Sequence, residues 1–275
     1  MMPELLRPAD PQGWFDPRDC LQGFLPDLYY PKYRNGVSGA WTVKVINMFT
    51  ARGYYGDMFP MNGAIILSGP TDNQGKQSWM SMLPVELESQ EIGLRAACGH
   101  TVVFGMGMGW LAANVAMRPE VERLTIVERD PSILALIGEQ KVFEQLPEDV
   151  QAKVTIINAD ALTWKPDGAV DSLQADIWLS IVEDGKFAQA RRMQDNVQAD
   201  QVYVWGQEME LVRYACRRQN SDSPSLDWPL LKAIAAEEVG LPLIFPEQDD
   251  FPARVQAGAQ WWVPREENWW RAEAA

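Results

Sequence analysis

Three glycines, Gly105, Gly107 and Gly109, follow the apolar run TVVF and precede WLAANVAM, whose apolar residues recur at helical spacing. A strand–turn–helix of this kind brings bare main chain close to a ligand and aims helix N–H groups at it. The next apolar run, RLTIVE, ends in Glu128 about 20 residues on. A carboxylate at that point can accept both hydroxyl hydrogens of a ribose lying across a sheet edge. A third run, KVTIIN, is followed by Asp160, an acid of the kind that caps the turn after a strand. Glu128 has a plain alternative too, as an acid that ends a surface strand. A glycine turn followed by an acid at this spacing points to nucleoside recognition.

The kind of nucleoside follows from position 110. A dinucleotide fingerprint, G-x-G-x-x-G, needs its third glycine there, but the residue is Trp110 and the pattern reads G-x-G-x-G. An indole obstructs the close helix–strand packing that the third glycine allows, so a ligand without a diphosphate is expected. Residues 101–109 resemble the first motif of class I S-adenosylmethionine-dependent methyltransferases. The resemblance covers 101–206. It implies an α/β fold with a doubly wound, mostly parallel seven-stranded sheet, and S-adenosylmethionine as cofactor. Glu128 would be the ribose-binding acid, with Asp160 and the backbone of Ala161 against the adenine. Phe104, Gly105, Met106, Gly107, Gly109, Trp110, Arg129 and Ser180 complete the cofactor shell that it implies. The activity implied is methyl transfer to a small molecule.

The N-terminal arrangement, a β-rich leader and AIILSGPTDNQGKQSWMSMLPVE before the glycine motif, is similar to the spermidine synthase branch of that superfamily. This similarity implies transfer of an aminopropyl or aminocarboxypropyl group, the former from the decarboxylated cofactor, and places Gln77 at cofactor or substrate. The branch carries an acid in its turn (GGGDG) where this chain reads GMGMG. Its LDxxD-like run after the fourth strand corresponds here to LSIVED. Alkylamine transfer is therefore the alternative expectation, and a non-catalytic binding subunit on the same fold is a third.

Reacting groups gather beyond the carboxyl ends of parallel strands. After the fourth run these are Glu183 and Asp184, able to orient an amine or accept a proton, with helix capping as the competing role for Asp184. No NPPY-like or Pro-Cys pair follows that run, which argues against amino-methylating or cytosine-methylating nucleic-acid enzymes. A sulfonium is a strong leaving group, so holding and desolvating the nucleophile supplies most of the acceleration. Among 12 tryptophans, Trp110 or Trp164 is expected to line the pocket, with Trp178 and Trp205 in the core. Trp261, Trp262, Trp269 and Trp270 are expected either to seal a homodimer interface or to pack on the N-terminal arm.

The elements that must position these residues divide at about residue 98. Residues 1–98 read as an aromatic, Pro-rich arm, a small antiparallel β element over 41–68, a loop over 69–76 and a linking helix from Gln77 to about Cys98, kinked or split by Pro84. Residues 99–275 read as the cofactor-binding domain. Strand runs at 101–105, 123–128, 153–158, 175–182 and 201–206 alternate with helical stretches, the pattern of βαβ units. A helix over Trp228–Val239 and final strands in LPLIF and AGAQWWVP follow.

Composition narrows the classes. The net charge of −14 disfavours phosphate backbones and anionic membranes as partners. One histidine, His100, and three scattered cysteines supply neither a zinc set nor a disulfide framework, so no metal is expected. His100 precedes an apolar strand, an awkward place for a mobile base. With no membrane-length apolar run and no leader-like start, a cytoplasmic protein acting on a small-molecule substrate is expected.

Overall fold

The computed structural model describes residues 13–70 and 76–263. After a short helix α1 (Pro17–Cys20), strands β1 (Gly36–Ser38), β2 (Trp41–Ile46), β5 (Ala64–Pro70) and β6 (Lys76–Ser81) form an antiparallel sheet in the order β1-β2-β5-β6. Strands β3 (Thr50–Arg52) and β4 (Met58–Pro60) pair separately. The runs WTVKVI and AIILSG supply β2 and β5. Every residue of β5 before Pro70 is buried, as β-branched and aliphatic residues favour on a covered sheet.

The helical spacing that begins at Gln77 does not start a helix. Residues 76–81 pair with β5 as β6, and helix α2 (Pro84–Ala96) begins only at Pro84. A proline at the first helical position gives up only an N–H that the first turn leaves unbonded, so Pro84 opens α2 instead of kinking it. Gly69 and Pro70 belong to β5 rather than to a loop.

Beyond α2, β7 (Gly99–Phe104), β8 (Val121–Glu128), β9 (Val154–Asn158), β10 (Ser172–Ala175) and β11 (Gln201–Val204) pair in parallel in the order β11-β10-β7-β8-β9. Between them and after them run α3 (Trp110–Met117), α4 (Pro131–Glu139), α5 (Glu148–Gln151), α6 (Lys186–Val197), α7 (Gln207–Gln219), α8 (Trp228–Ile234), which continues as a π-turn Ala235–Val239, and α9 (Phe251–Trp262). Alternate residues of β7 feed two cores. Val103 joins α3 and α4 in one, while Val102 and Phe104 join α6 and α7 in the other. The chain winds outward in both directions from β7 and β10. Their shared edge is the switch point beyond which ligands bind in such sheets.

Among the described residues this sheet has five strands, not seven. LPLIF contributes one isolated bridge, Leu243 to Val202, because Pro242 interrupts the run. AGAQWW falls in α9, where Val255, Gly258 and Ala259 are buried at helical spacing behind Pro252, Val263 caps the helix, and Pro264 lies outside the described residues. The fourth strand ends at Ala175 rather than Val182. Its apolar continuation serves to line a cavity and cover a buried lysine. Helix α7 carries Glu208, Glu210 and Arg213 inward and is announced by no apolar run.

Candidate functional site

A cavity of about 340 Å³ opens beyond the carboxyl ends of the parallel strands, with its far wall supplied by the antiparallel sheet. Its floor is the glycine turn. Gly105 has φ +88°, and a side chain there would strike the carbonyl of Asp176, so only glycine lets β7 and the chain leaving β10 approach this closely.

Glu128 closes β8 and faces the turn. One carboxylate oxygen accepts the N–H of Met106 at 3.0 Å and the other that of Asp130 at 2.7 Å, and each retains a second lone pair. Asp160 follows β9. Its Oδ1 accepts the N–H of Leu162 at 2.8 Å, and its carbonyl those of Thr163 and Trp164, so it holds its turn while lining the cavity. Gly107, Arg129, Ala161 and Glu183 also line it. Arg129 is exposed, and the N–H of Glu183 is held by Glu210 at 2.8 Å.

The remaining expected residues lie outside the lining. Phe104 is buried edge-on to Trp164, ring centroids 5.9 Å apart, which takes both away from the cavity. Met106 lends its main-chain N–H to Glu128 while its side chain is buried in the core. Gly109 caps α3. Trp110, 0% exposed, packs beside Tyr30; the indole that displaces the third glycine turns toward the N-terminal segment. Ser180 is exposed and offers its carbonyl to Lys186. Asp184 is exposed and pairs with Arg213, and α6 has no side-chain cap at its N-cap, Gly185. Gln77 stands exposed on β6. His100 is buried with Nδ1 at the carbonyl of Ala169 and Nε2 at Thr125 Oγ1. Trp261 lies against Arg52, and Trp262 donates to the Tyr54 carbonyl at 2.6 Å. Trp269 and Trp270 lie outside the described residues.

Several lining residues escape a sequence reading. Trp41 and Trp79 reach in from β2 and β6, Glu86 from the first turn of α2, Asp176 and Trp178 from the chain after β10, and Trp205 from the end of β11. Trp178 and Trp205 are thus walls of the cavity as well as core. The sequence signal for this wall is Asp176 itself, the first acid after β10, which falls inside the apolar run 175–182 expected as the fourth strand. Burial pushes the Asp176 carboxyl up to about 6, against the pull of the Gln90 amide, 2.5 Å away, and of the Lys186 ammonium. Glu86 is driven well above the usual carboxylate range by burial, and further by the charge of Asp176.

Beneath this wall Lys186, 1% exposed, donates to the carbonyls of Ser180, Ile181 and Trp205 at 2.8–3.0 Å. Burial brings its amine down to about 8, opposed chiefly by Glu210 and Asp176. Its three donors pin the 180–181 stretch to β11.

No family model matches the chain, and no curated protein matches it. Among solved structures it is similar to the glycopeptide N-methyltransferase MtfA complexed with S-adenosyl-L-homocysteine, at 17% identity over 41% of this chain and 44% of that one, TM-score 0.33. The DhpI–SAM–HEP complex is matched at 20% identity over 40% and 48%, TM-score 0.30. The methyltransferase domain of bacterial CtHen1-C is matched at 14% over 40% and 59%, TM-score 0.32. Each match thus spans less than two thirds of the structure concerned. No helix among the described residues is long and apolar enough to cross a membrane.

Proposed function

We propose that the chain binds S-adenosylmethionine in this cavity and uses it to methylate a small molecule. The observation that carries the proposal is the Glu128 carboxylate. It closes the strand beside the glycine turn, is held there by two main-chain N–H groups, and has lone pairs left for a ribose diol. The other groups fit the same ligand. Asp160 and the main chain at Ala161 suit an adenine edge, and the bare turn at Gly105 and Gly107 leaves room for the amino-acid tail. When bound, the cofactor supplies a methyl group on a positively charged sulfur.

The protein's own share is binding, orientation and exclusion of water. Glu128 and Asp160 hold the nucleoside, and Trp178 and Trp205 keep the reacting volume dry. Residues 13–70 and 76–98 act in this proposal as a cover for the cofactor-binding part, because Trp41 and Trp79 line the cavity together with Glu128. Trp41 ties the cover down, its Nε1–H donating at 2.6 Å to Asp130, which also caps α4.

Calorimetric titration tests the proposal. S-adenosylmethionine and S-adenosylhomocysteine should both bind, and NAD should not. Absence of heat with both nucleosides would overturn it. Release of 5′-methylthioadenosine on turnover, in place of S-adenosylhomocysteine, would mark alkylamine transfer instead.

A further inference from the structure

The indoles and the remaining acids of the cavity make an unusual inventory. Four indoles line it, and each spends its N–H on the protein: Trp41 on Asp130 at 2.6 Å, Trp79 on the Pro70 carbonyl at 2.9 Å, Trp178 on Gln189 Oε1 at 2.9 Å and Trp205 on Ser89 Oγ at 2.8 Å. What remains for a ligand is ring surface. Trp41 and Trp79 meet edge to face at 5.2 Å, and a side chain at Gly69 would overlap the Trp41 ring, so β5 is shaped to seat it. Lys186 lies against Trp178 and Trp205, 5.2 and 4.9 Å from their centroids, but its three hydrogens are taken by carbonyls. The acids are in the opposite condition. The Glu86 carboxyl group lines the cavity with no hydrogen-bond partner among the described residues, its main-chain carbonyl alone accepting from Ser89 Oγ, and the Asp176 carboxylate accepts one amide hydrogen. The indole and lysine donors of this lining are therefore engaged, which leaves π-faces, the two carboxyl groups and one side-chain amide, the Nε2 of Gln189, whose Oε1 holds Trp178.

We infer that the acid and indole lining of this cavity binds an organic amine as its ammonium, with Glu86 and Asp176 taking the charge and Trp41, Trp79, Trp178 and Trp205 taking the hydrocarbon. As the identity of the methyl acceptor, the inference rests on the proposed cofactor; as a binding site, it stands on the wall alone. An ammonium brings donors to the two acids, and indole faces attract cations. A carboxylate or phosphate would meet like charge and unmatched acceptors. Burial of both acids raises their affinity for protons. The pair can therefore take up the proton an ammonium must release before its nitrogen becomes a nucleophile.

The test uses three probes that share a ring and differ at one end: 2-phenylethylamine, 2-phenylethanol and phenylacetate. Each is titrated at pH 7.5 into the full chain saturated with S-adenosylhomocysteine. The amine should bind at least tenfold more tightly than the alcohol, and phenylacetate should give no heat. Asp176→Asn and Glu86→Gln should each weaken the amine at least tenfold while shifting the Kd of S-adenosylhomocysteine less than twofold. Equal binding of the three probes, or no binding of the amine, overturns the inference without using a variant. Parallel loss of amine and nucleoside in both variants also overturns it, because the acids would then serve the cofactor's own amino group. If S-adenosylhomocysteine fails to bind the native chain, the cofactor proposal falls. The same three titrations without it then decide whether the wall selects an amine.

Discussion

On the side of the cavity built by β8 and β9, carboxylates are held by the main chain; on the side built by α2 and the chain leaving β10, they are not. Glu128 accepts two N–H groups and Asp160 Oδ1 accepts another, so both are oriented before any ligand arrives. Asp176 has a single amide donor and Glu86 has none among the described residues, and burial pushes both toward their neutral forms. A group satisfied by its own backbone contributes to folding as well as to binding. A buried acid without donors opposes folding and gains only when a ligand supplies what is missing. The first side is pre-organised, and the second is left for its occupant to complete.

Both sides share the turn at Gly105, so the largest effect is expected there. Gly105→Val should destabilise the fold by more than about 3 kcal/mol, because it combines a positive φ with a collision at the Asp176 carbonyl. Denaturant unfolding measures this, and a loss below 1 kcal/mol would show that the two strands need not approach so closely. Glu128→Ala should weaken S-adenosylmethionine by about 1–3 kcal/mol and also lower the melting temperature, since the N–H groups of Met106 and Asp130 lose their acceptors. Calorimetry beside a thermal melt separates the two effects, and unchanged affinity would remove Glu128 from the site.

A pair of isosteric changes sharpens the contrast. At pH 8, Glu128→Gln should lower stability while Glu86→Gln raises it, each by about 1 kcal/mol, since one replaces a satisfied carboxylate and the other an unpartnered one. Shifts of the same sign in urea midpoints would erase the distinction between the two sides.

The smallest expected effect is on pH dependence. Asp176, pushed up to about 6, and Glu208, pushed up to about 7 by burial despite hydroxyl hydrogen bonds from Tyr54 and Tyr203, both bind protons more tightly folded than unfolded. Their contribution to stability is therefore full below their ordinary values and declines as pH rises through about 4 to 7. Glu208→Gln should flatten that decline by a few tenths of a kcal/mol per pH unit, within a ceiling of about 1.4 for one proton. Melts taken across the window would show it, and an unchanged slope would mean that Glu208 titrates alike in both states.

The legible part of the site is the part made of local structure. Gly105, Glu128 and Asp160 each stand at the end of their own strand, and strand–turn–helix signals place strand ends well. The expectation that Trp110 or Trp164 lines the pocket fails because nearness to a strand end does not decide which way a side chain turns. Trp110 rotates into the core beside Tyr30, and Trp164 packs on Phe104. Glu183 and Asp184 are adjacent in sequence yet part company, one lining the cavity and the other paired with Arg213 from α7. Nothing in their immediate neighbourhood announces that arginine.

By itself the order of residues determined the alternation of strands and helices from Gly99 to Val204, the glycine turn, and the acids that end β8 and β9, because these depend on periodicity, turn chemistry and chain order. Only tertiary structure decided the rest of the lining. Trp41, Trp79 and Glu86 come from a separate sheet and from α2, and they reach the cavity because the antiparallel sheet packs over the carboxyl edge of the parallel one. Contacts between segments so far apart along the chain are set by burial and shape across the whole molecule, and these leave no local periodicity to read.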